Sequence, residues 1–376
     1  MLRTAPLSAI VTTIVLCLAS IAGAGVTNPN ISVVGQPFSR WTDEAGDPSA
    51  RRAVLDVGET EFVYDDYLNP YAKGFFTVAL SEEGISLEEG FFTLLRGLPL
   101  GLTVKGGKYR VGFGKLNPVH PHALPFAERF RVMAYLPGDE AFNETGVQLT
   151  ARVPAPGDWS LTASADVLQG DSFRRERPGS GAPNDPYLAD GDRGEEPRPG
   201  VVGRLAAFSQ IADRSGIEFG LSGTHGTGNV AATTRTTVLG GDAKLKLWTS
   251  ANAYLLVQGE LLHQRREDAG WDEVAAAYTS TTVEKTGGYL FADYHFKTRY
   301  NAGASYERFE DPDAVVSHQA VGAYAGLALL EETTAFRIDV SRFMPGTPAG
   351  GVSPDAVHTV TLRIIYSMGP HKAHQF

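Results

Sequence analysis

The chain has 376 residues, a formal net charge of −10 and a pI of about 5.4, a balance that argues against a nucleic-acid partner. Its one cysteine, Cys17, has no partner for a disulfide. Forty-two glycines and 10% aromatics suit many tightly turned strands, and a mean hydropathy of −0.13 fits either a soluble protein or a barrel with one apolar and one polar face.

Residues 1–24 come first and read as a cleaved secretory signal. Arg3 supplies the positive start, an apolar run extends from Leu7 to Ala19, and Ala22-Gly23-Ala24 gives a small-x-small cleavage site. The run is short of the roughly 20 residues that a helix needs to span a bilayer. Cys17 lies in Ile-Val-Leu-Cys-Leu, without the small residues expected around a lipidated cysteine. Residues 25–376 are expected to form one domain, with no apolar stretch long enough for a helical span.

From there the pattern is two-fold alternation. Trp159, Leu161, Ala163, Ala165 and Val167 share one face, with Ser160, Thr162, Ser164 and Asp166 on the other. Ile217, Phe219 and Leu221 alternate with Glu218, Gly220 and Ser222, and Leu245 and Leu247 with Lys244 and Lys246. Leu290, Ala292, Tyr294 and Phe296 alternate with Asp293, His295 and Lys297; Phe336, Ile338 and Val340 with Arg337, Asp339 and Ser341. Helical periodicity is nearly absent, the best stretch being the short Glu273–Tyr278.

Strands are predicted near 30–38, 53–65, 70–81, 84–96, 100–112, 144–153, 158–168 and 200–212, then 215–224, 235–248, 251–264, 286–298, 299–309, 318–330, 332–343 and 356–367. Long connections (39–52, 113–143, 169–199, 225–234, 265–285, 310–317 and 344–355) follow odd-numbered strands; short turns follow even ones, and Glu82-Glu83-Gly84 is an exception. That segregation predicts an all-β, antiparallel transmembrane barrel of about 16 strands, with long external loops and short periplasmic turns. A soluble sandwich would explain the alternation but not the loop lengths.

A spanning sheet must close so that every backbone group is paired, with the apolar face towards lipid. Charged Lys244, Lys246, Asp293, Arg337 and Asp339 then line the lumen, which at this strand number is too wide for side chains to fill. Tyr64, Trp159, Trp248, Tyr254, Tyr300 and Tyr366 are the candidate interface aromatics. The connection 169–199 is polar and rich in Pro and Gly, so it reads as a solvated external loop. Its Asp190, Asp192, Glu195 and Glu196 also offer a metal-bridged contact to lipopolysaccharide.

Connection 113–143 carries KLNPVHPHALPFAER, in which prolines stiffen an extended path. It is long enough to bend into the barrel mouth. Lys108, Arg110, Lys115, Glu128, Arg129 and Arg131 are the constriction candidates. His120 and His122 flank Pro121, a spacing compatible with two metal ligands; His371 and His374 form a second pair. No Gly-x-Ser-x-Gly, His-Glu-x-x-His or phosphate-binding glycine loop is present, so neither an enzyme nor a cofactor is expected.

The stretch GKYRVGFGKLN, followed by HPHALPFAERF and FNETGVQLTARVP, resembles the N-terminal half of porin-like outer-membrane proteins. These include the phosphate-selective type and relatives labelled zinc-regulated outer-membrane receptors. The matching positions are Gly107, Lys108, Phe113, Gly114, Pro125, Phe126 and Arg129. The ending TVTLRIIYSMGPHKAHQF is similar to that of the same relatives. The resemblance implies a Gram-negative outer-membrane porin, embedded in lipid and lipopolysaccharide. It also implies insertion by the barrel-assembly machinery through Phe376, and allows a homotrimer. Passive passage of small hydrophilic solutes or ions is the expected function. The alternative is a non-conducting receptor barrel linked to metal (zinc) uptake. The inward candidates mix both signs, against the arginine ladder of a phosphate-selective pore.

Overall fold

The computed structural model describes residues 29–138, 141–175, 198–230, 232–272, 274–329 and 333–369. The leader, the acidic residues of 176–197, His371, His374 and Phe376 lie outside the described residues.

Eighteen strand segments form one sheet: β1 (Asn30–Gly35), β2 (Phe38–Thr42), β3 (Val54–Asp56), β4 (Thr60–Asn69), β5 (Ala72–Ser81), β6 (Gly84–Leu94), β7 (Thr103–Arg110), β8 (Asn143–Val153) and β9 (Trp159–Leu168) in the first half. The second half holds β10 (Gly200–Ala212), β11 (Ser215–Asn229), β12 (Thr234–Ser250), β13 (Ala253–Asp272), β14 (Ala277–Phe296), β15 (Tyr300–Glu310), β16 (Ser317–Ala328), β17 (Thr334–Met344) and β18 (Val357–Met368). All pairings are antiparallel between neighbours. The ring closes because β18 pairs with both β1 and β2, through Val33 with Met368 and Thr42 with Thr359.

β1 and β2 are halves of one barrel strand, interrupted at Pro37, which has no N–H to give the ladder. β3 and β4 are likewise halves of the next strand, and so the 18 segments make 16 barrel strands, as the connection pattern predicts. No helix among the described residues is long and apolar enough to cross a membrane.

The faces are inverted relative to a soluble protein. Leu221 and Leu261 on the outer wall are 66% and 70% exposed, while Glu260 and Asp293 on the inner wall are 2% and 0% exposed. Such an apolar exterior, carried round the whole barrel, needs lipid to cover it.

Two predicted loops are corrected. Residues 225–234 and 265–285 are largely strand: β11 runs to Asn229, β12 starts at Thr234, and β13 and β14 are paired from Ala253 opposite Phe296 to Asp272 opposite Ala277. Of the short helical stretch at 273–278, residues 274–276 form a turn and Ala277 and Tyr278 start β14. Trp248 and Tyr254 are also misplaced as interface aromatics. They lie on the inner face with Lys246, whose Nζ sits 4.2 Å from the Tyr254 ring centroid. Tyr64, stacked on the exposed Phe76, and Trp159, Tyr300 and Tyr366 do lie on the outer wall.

Candidate functional site

The connection between β7 and β8 leaves the wall and enters the lumen. It enters through Gly114, whose φ of +62° is the left-handed region, and where a Cβ would collide with the Glu260 carboxylate. Just beyond, the amides of Lys115 and Leu116 both donate to Glu260 Oε1 at 2.7 Å, and the Tyr289 hydroxyl donates to the same oxygen at 2.7 Å. A wall carboxylate thus takes up the backbone donors that the turn leaves over.

Asn117, fully buried, joins the two ends of the segment. Its Nδ2 donates to the Val111 and Phe142 carbonyls at 2.8 and 2.9 Å, and its Oδ1 accepts from the Phe142 amide at 3.0 Å. From there the chain is tied to further wall strands. Arg337 donates to the carbonyls of His122 and Leu124, and Arg363 to that of Ala127 at 2.6 Å. Gln264 donates to the Tyr135 carbonyl at 2.8 Å, and the Tyr135 hydroxyl donates to the Glu310 carbonyl at 2.6 Å. Apolar side chains complete the attachment: Phe126 and Phe130 pack on Tyr289, Phe291 and Tyr324 of the wall.

Most charged candidates end in ion pairs. Arg110 meets Glu88 at 2.7 Å, Lys115 meets Glu218 at 2.6 Å, and Arg131 meets Glu307 at 3.4 Å while its guanidinium lies over the Phe343 ring. Arg129 donates to the Leu116 carbonyl; burial and the nearby Arg110 bring its pKa down to about 10. Glu128 meets Arg40 at 3.5 Å. Lys108 is placed differently. It falls on the strand face opposite Lys105 and Tyr109, which meet Phe91 and Asp166 inside, and its Nζ donates to the Leu87 carbonyl.

Of the lumen-facing charges, Arg337 and Asp339 hold the inward segment, the latter accepting from the Ala127 amide at 3.4 Å. Asp293 binds His295 and Asn301 at 2.7 and 3.0 Å. Lys244 lies in the field of Lys115 and Glu218, and Lys246 faces Trp248 and Tyr254 nearer the short-turn end.

The two histidines of the motif converge on a wall residue that neither their spacing nor their neighbours announced. His122 Nδ1 lies 3.0 Å from Glu61 Oε1, and His120 Nδ1 lies 3.1 Å from Glu61 Oε2. His120 Nε2 bonds Glu89 Oε2 at 2.9 Å, and Glu88 Oε2 stands 3.6 Å from His120 Nδ1. Burial disfavours the charged form of His120, but the bonds to Glu61 and Glu89 outweigh it and raise its pKa to about 9. Sequence reasoning missed Glu61, Glu88, Glu89 and Asn117. Only parity was available for Glu61, which alternates with the outward Phe62 and Tyr64.

No family model matches the chain. An uncharacterized protein of Aquifex aeolicus (strain VF5) is 32% identical over 254 residues, which is 64% of this chain and 51% of that protein; the chain spans about half its length. The barrel is similar to an anion-selective porin from Comamonas acidovorans, with a TM-score of 0.56 at 11% identity, over 91% of this chain and 99% of that one. It is also similar to the outer-membrane channel DcaP of Acinetobacter baumannii, with a TM-score of 0.56 at 10% identity, over 90% and 97% of the two chains. At such identities the likeness establishes the fold, which is that of outer-membrane porin barrels.

Proposed function

We propose that the protein is a channel in the outer membrane of a Gram-negative bacterium, passing small hydrophilic solutes or ions by diffusion along a lumen narrowed by residues 111–142. The observation that carries this reading is the attachment of one external connection to wall strands well round the barrel, through Glu61 of β4, Glu260 of β13, Arg337 of β17 and Arg363 of β18. Such a connection constricts a pore without a separate domain.

Arg110, Lys115 and Arg129 are largely buried in the attachment, whereas the side chains of Glu128 and Arg131 keep 46% and 40% of their exposure. These two, with Arg40, are the most exposed of the candidate charges that a solute would meet at the segment. Their mixed sign supports weak ion selectivity and no preference for phosphate. A cleaved leader, a single domain and contacts with lipopolysaccharide belong to the same reading on the strength of the residues themselves, and insertion through Phe376 and a homotrimer on the strength of the sequence resemblance.

Single-channel recording in planar bilayers tests it. Purified protein should give stable stepwise conductance, and deletion of residues 117–131 should give several-fold larger steps. Arg131→Gln should move the reversal potential in a salt gradient towards cation preference, and Glu128→Gln the other way. Folded, inserted protein without steps would sink the channel reading. It would favour a non-conducting binding barrel, which the apolar packing of the inward segment and the Glu61–His120–His122 cluster also suit.

A further inference from the structure

We propose that Glu61, His120 and His122 bind one divalent transition-metal ion of the zinc or cobalt class, fastening the inward segment to the barrel wall. One donor atom from each of the three residues lies within 4.8 Å of the others. A four-coordinate ion with bonds of about 2.0–2.2 Å sets its ligands about 3.3–3.6 Å apart. Each histidine is already close to that distance from one Glu61 oxygen, His122 at 3.0 Å from Oε1 and His120 at 3.1 Å from Oε2.

The local backbone explains the convergence. Pro121 opens a short 3-10 turn (Pro121–Ala123), with His120 extended before it and His122 inside it. Both rings then face the same side, their centroids 5.7 Å apart. Glu61 is held opposite by β4, with its side chain 1% exposed, and His122 is 5% exposed.

The surroundings also resemble those of a metal centre. Glu88 Oε2, 3.6 Å from His120 Nδ1, is placed to supply a fourth oxygen. Glu89 grips the far nitrogen of His120 at 2.9 Å, as an outer carboxylate does when it orients a ligating imidazole. Arg337 holds the His122 carbonyl and Arg110 the Val119 carbonyl, fixing the backbone on both sides. Two imidazoles with one or two carboxylates suit zinc, cobalt or nickel better than calcium or magnesium, which prefer all-oxygen sets. Because Glu61 and Glu88 come from the wall and the histidines from the segment, an ion would cross-link the two.

The site stands apart from the channel reading, since binding is measured without conductance. Full-length protein, folded in detergent and stripped with EDTA, is titrated with Zn²⁺ by calorimetry. One equivalent per chain is expected. Glu61→Gln and His122→Ala should each weaken binding more than about 100-fold, and Glu89→Gln, which only positions His120, about 10–100-fold. The double variant His371→Ala/His374→Ala should bind as the parent does. No binding to the parent, undiminished binding to Glu61→Gln, or loss confined to the double variant would overturn the site. Should the ligand variants fail to fold, X-ray absorption at the zinc edge of the parent decides: two imidazoles with oxygen ligands support the proposal, and any other imidazole count rejects it.

Discussion

Glu260 shows how much a single inward residue can organise. Its carboxylate faces three donors from two elements, two of them backbone amides at the point where the chain turns into the lumen. Glu260→Ala would leave those buried donors unpaired at a cost of about 1–3 kcal/mol each, whereas Glu260→Gln keeps an acceptor oxygen. Expected outcomes are a clearly lowered thermal midpoint for the alanine variant and a small change for glutamine, both read by near-ultraviolet circular dichroism. Equal melting of all three proteins would mean that the segment is held elsewhere. The inward position of Glu260 is legible from alternation along β13. The partnership is not, because Lys115 lies 145 positions away and nothing local marks it. Asn117 illustrates the same limit: an asparagine before proline reads as a loop residue, yet it is buried and ties both ends of the segment together.

At the scale of elements, the misread connection 265–285 has a physical cause. Above the membrane neither face of a hairpin meets lipid, so Arg265, Arg266, Glu267 and Asp268 carry charge on both faces and the alternation vanishes although the strand continues. That extension serves as a brace. Arg266 bonds Asp268 and Asp313, and Lys285 reaches the Ala314 carbonyl, so the loop 311–316 leans on β13 and β14. Within the loop, slight burial works against the Asp311 carboxylate, but the amides of Asp313 and Ala314 and the ring of His318 outweigh it and lower its pKa. A carboxylate lowered on folding stabilises its loop fully above the unfolded value of about 3.9 and loses that contribution as pH falls through the folded value. A spin label at the exposed position 315 should therefore report unchanged mobility between pH 7 and pH 5, and greater mobility only at pH well below that unfolded value. Mobility already rising near pH 5 would contradict this.

For the whole molecule, the decisive property is the reversed placing of apolar and charged side chains. Leu221 faces outward in the middle of β11, between β10 and β12. Leu221→Arg should cost about 2–4 kcal/mol in lipid, measured by reversible urea unfolding in vesicles, while the same change at the outward but wet Val274 at the hairpin tip should cost little. Equal costs at the two positions would argue against a lipid-covered wall. Strand number, antiparallel order and the two faces could be determined from the sequence alone, because side chains repeat every two residues along a strand and a closed barrel leaves only two environments. What enters the barrel was settled by tertiary structure alone. Arg337, Arg363 and Glu61 reach residues 120–127 across distances in sequence from which no local pattern can report contact, and that convergence makes an ordinary proline-rich connection the centre of the lumen.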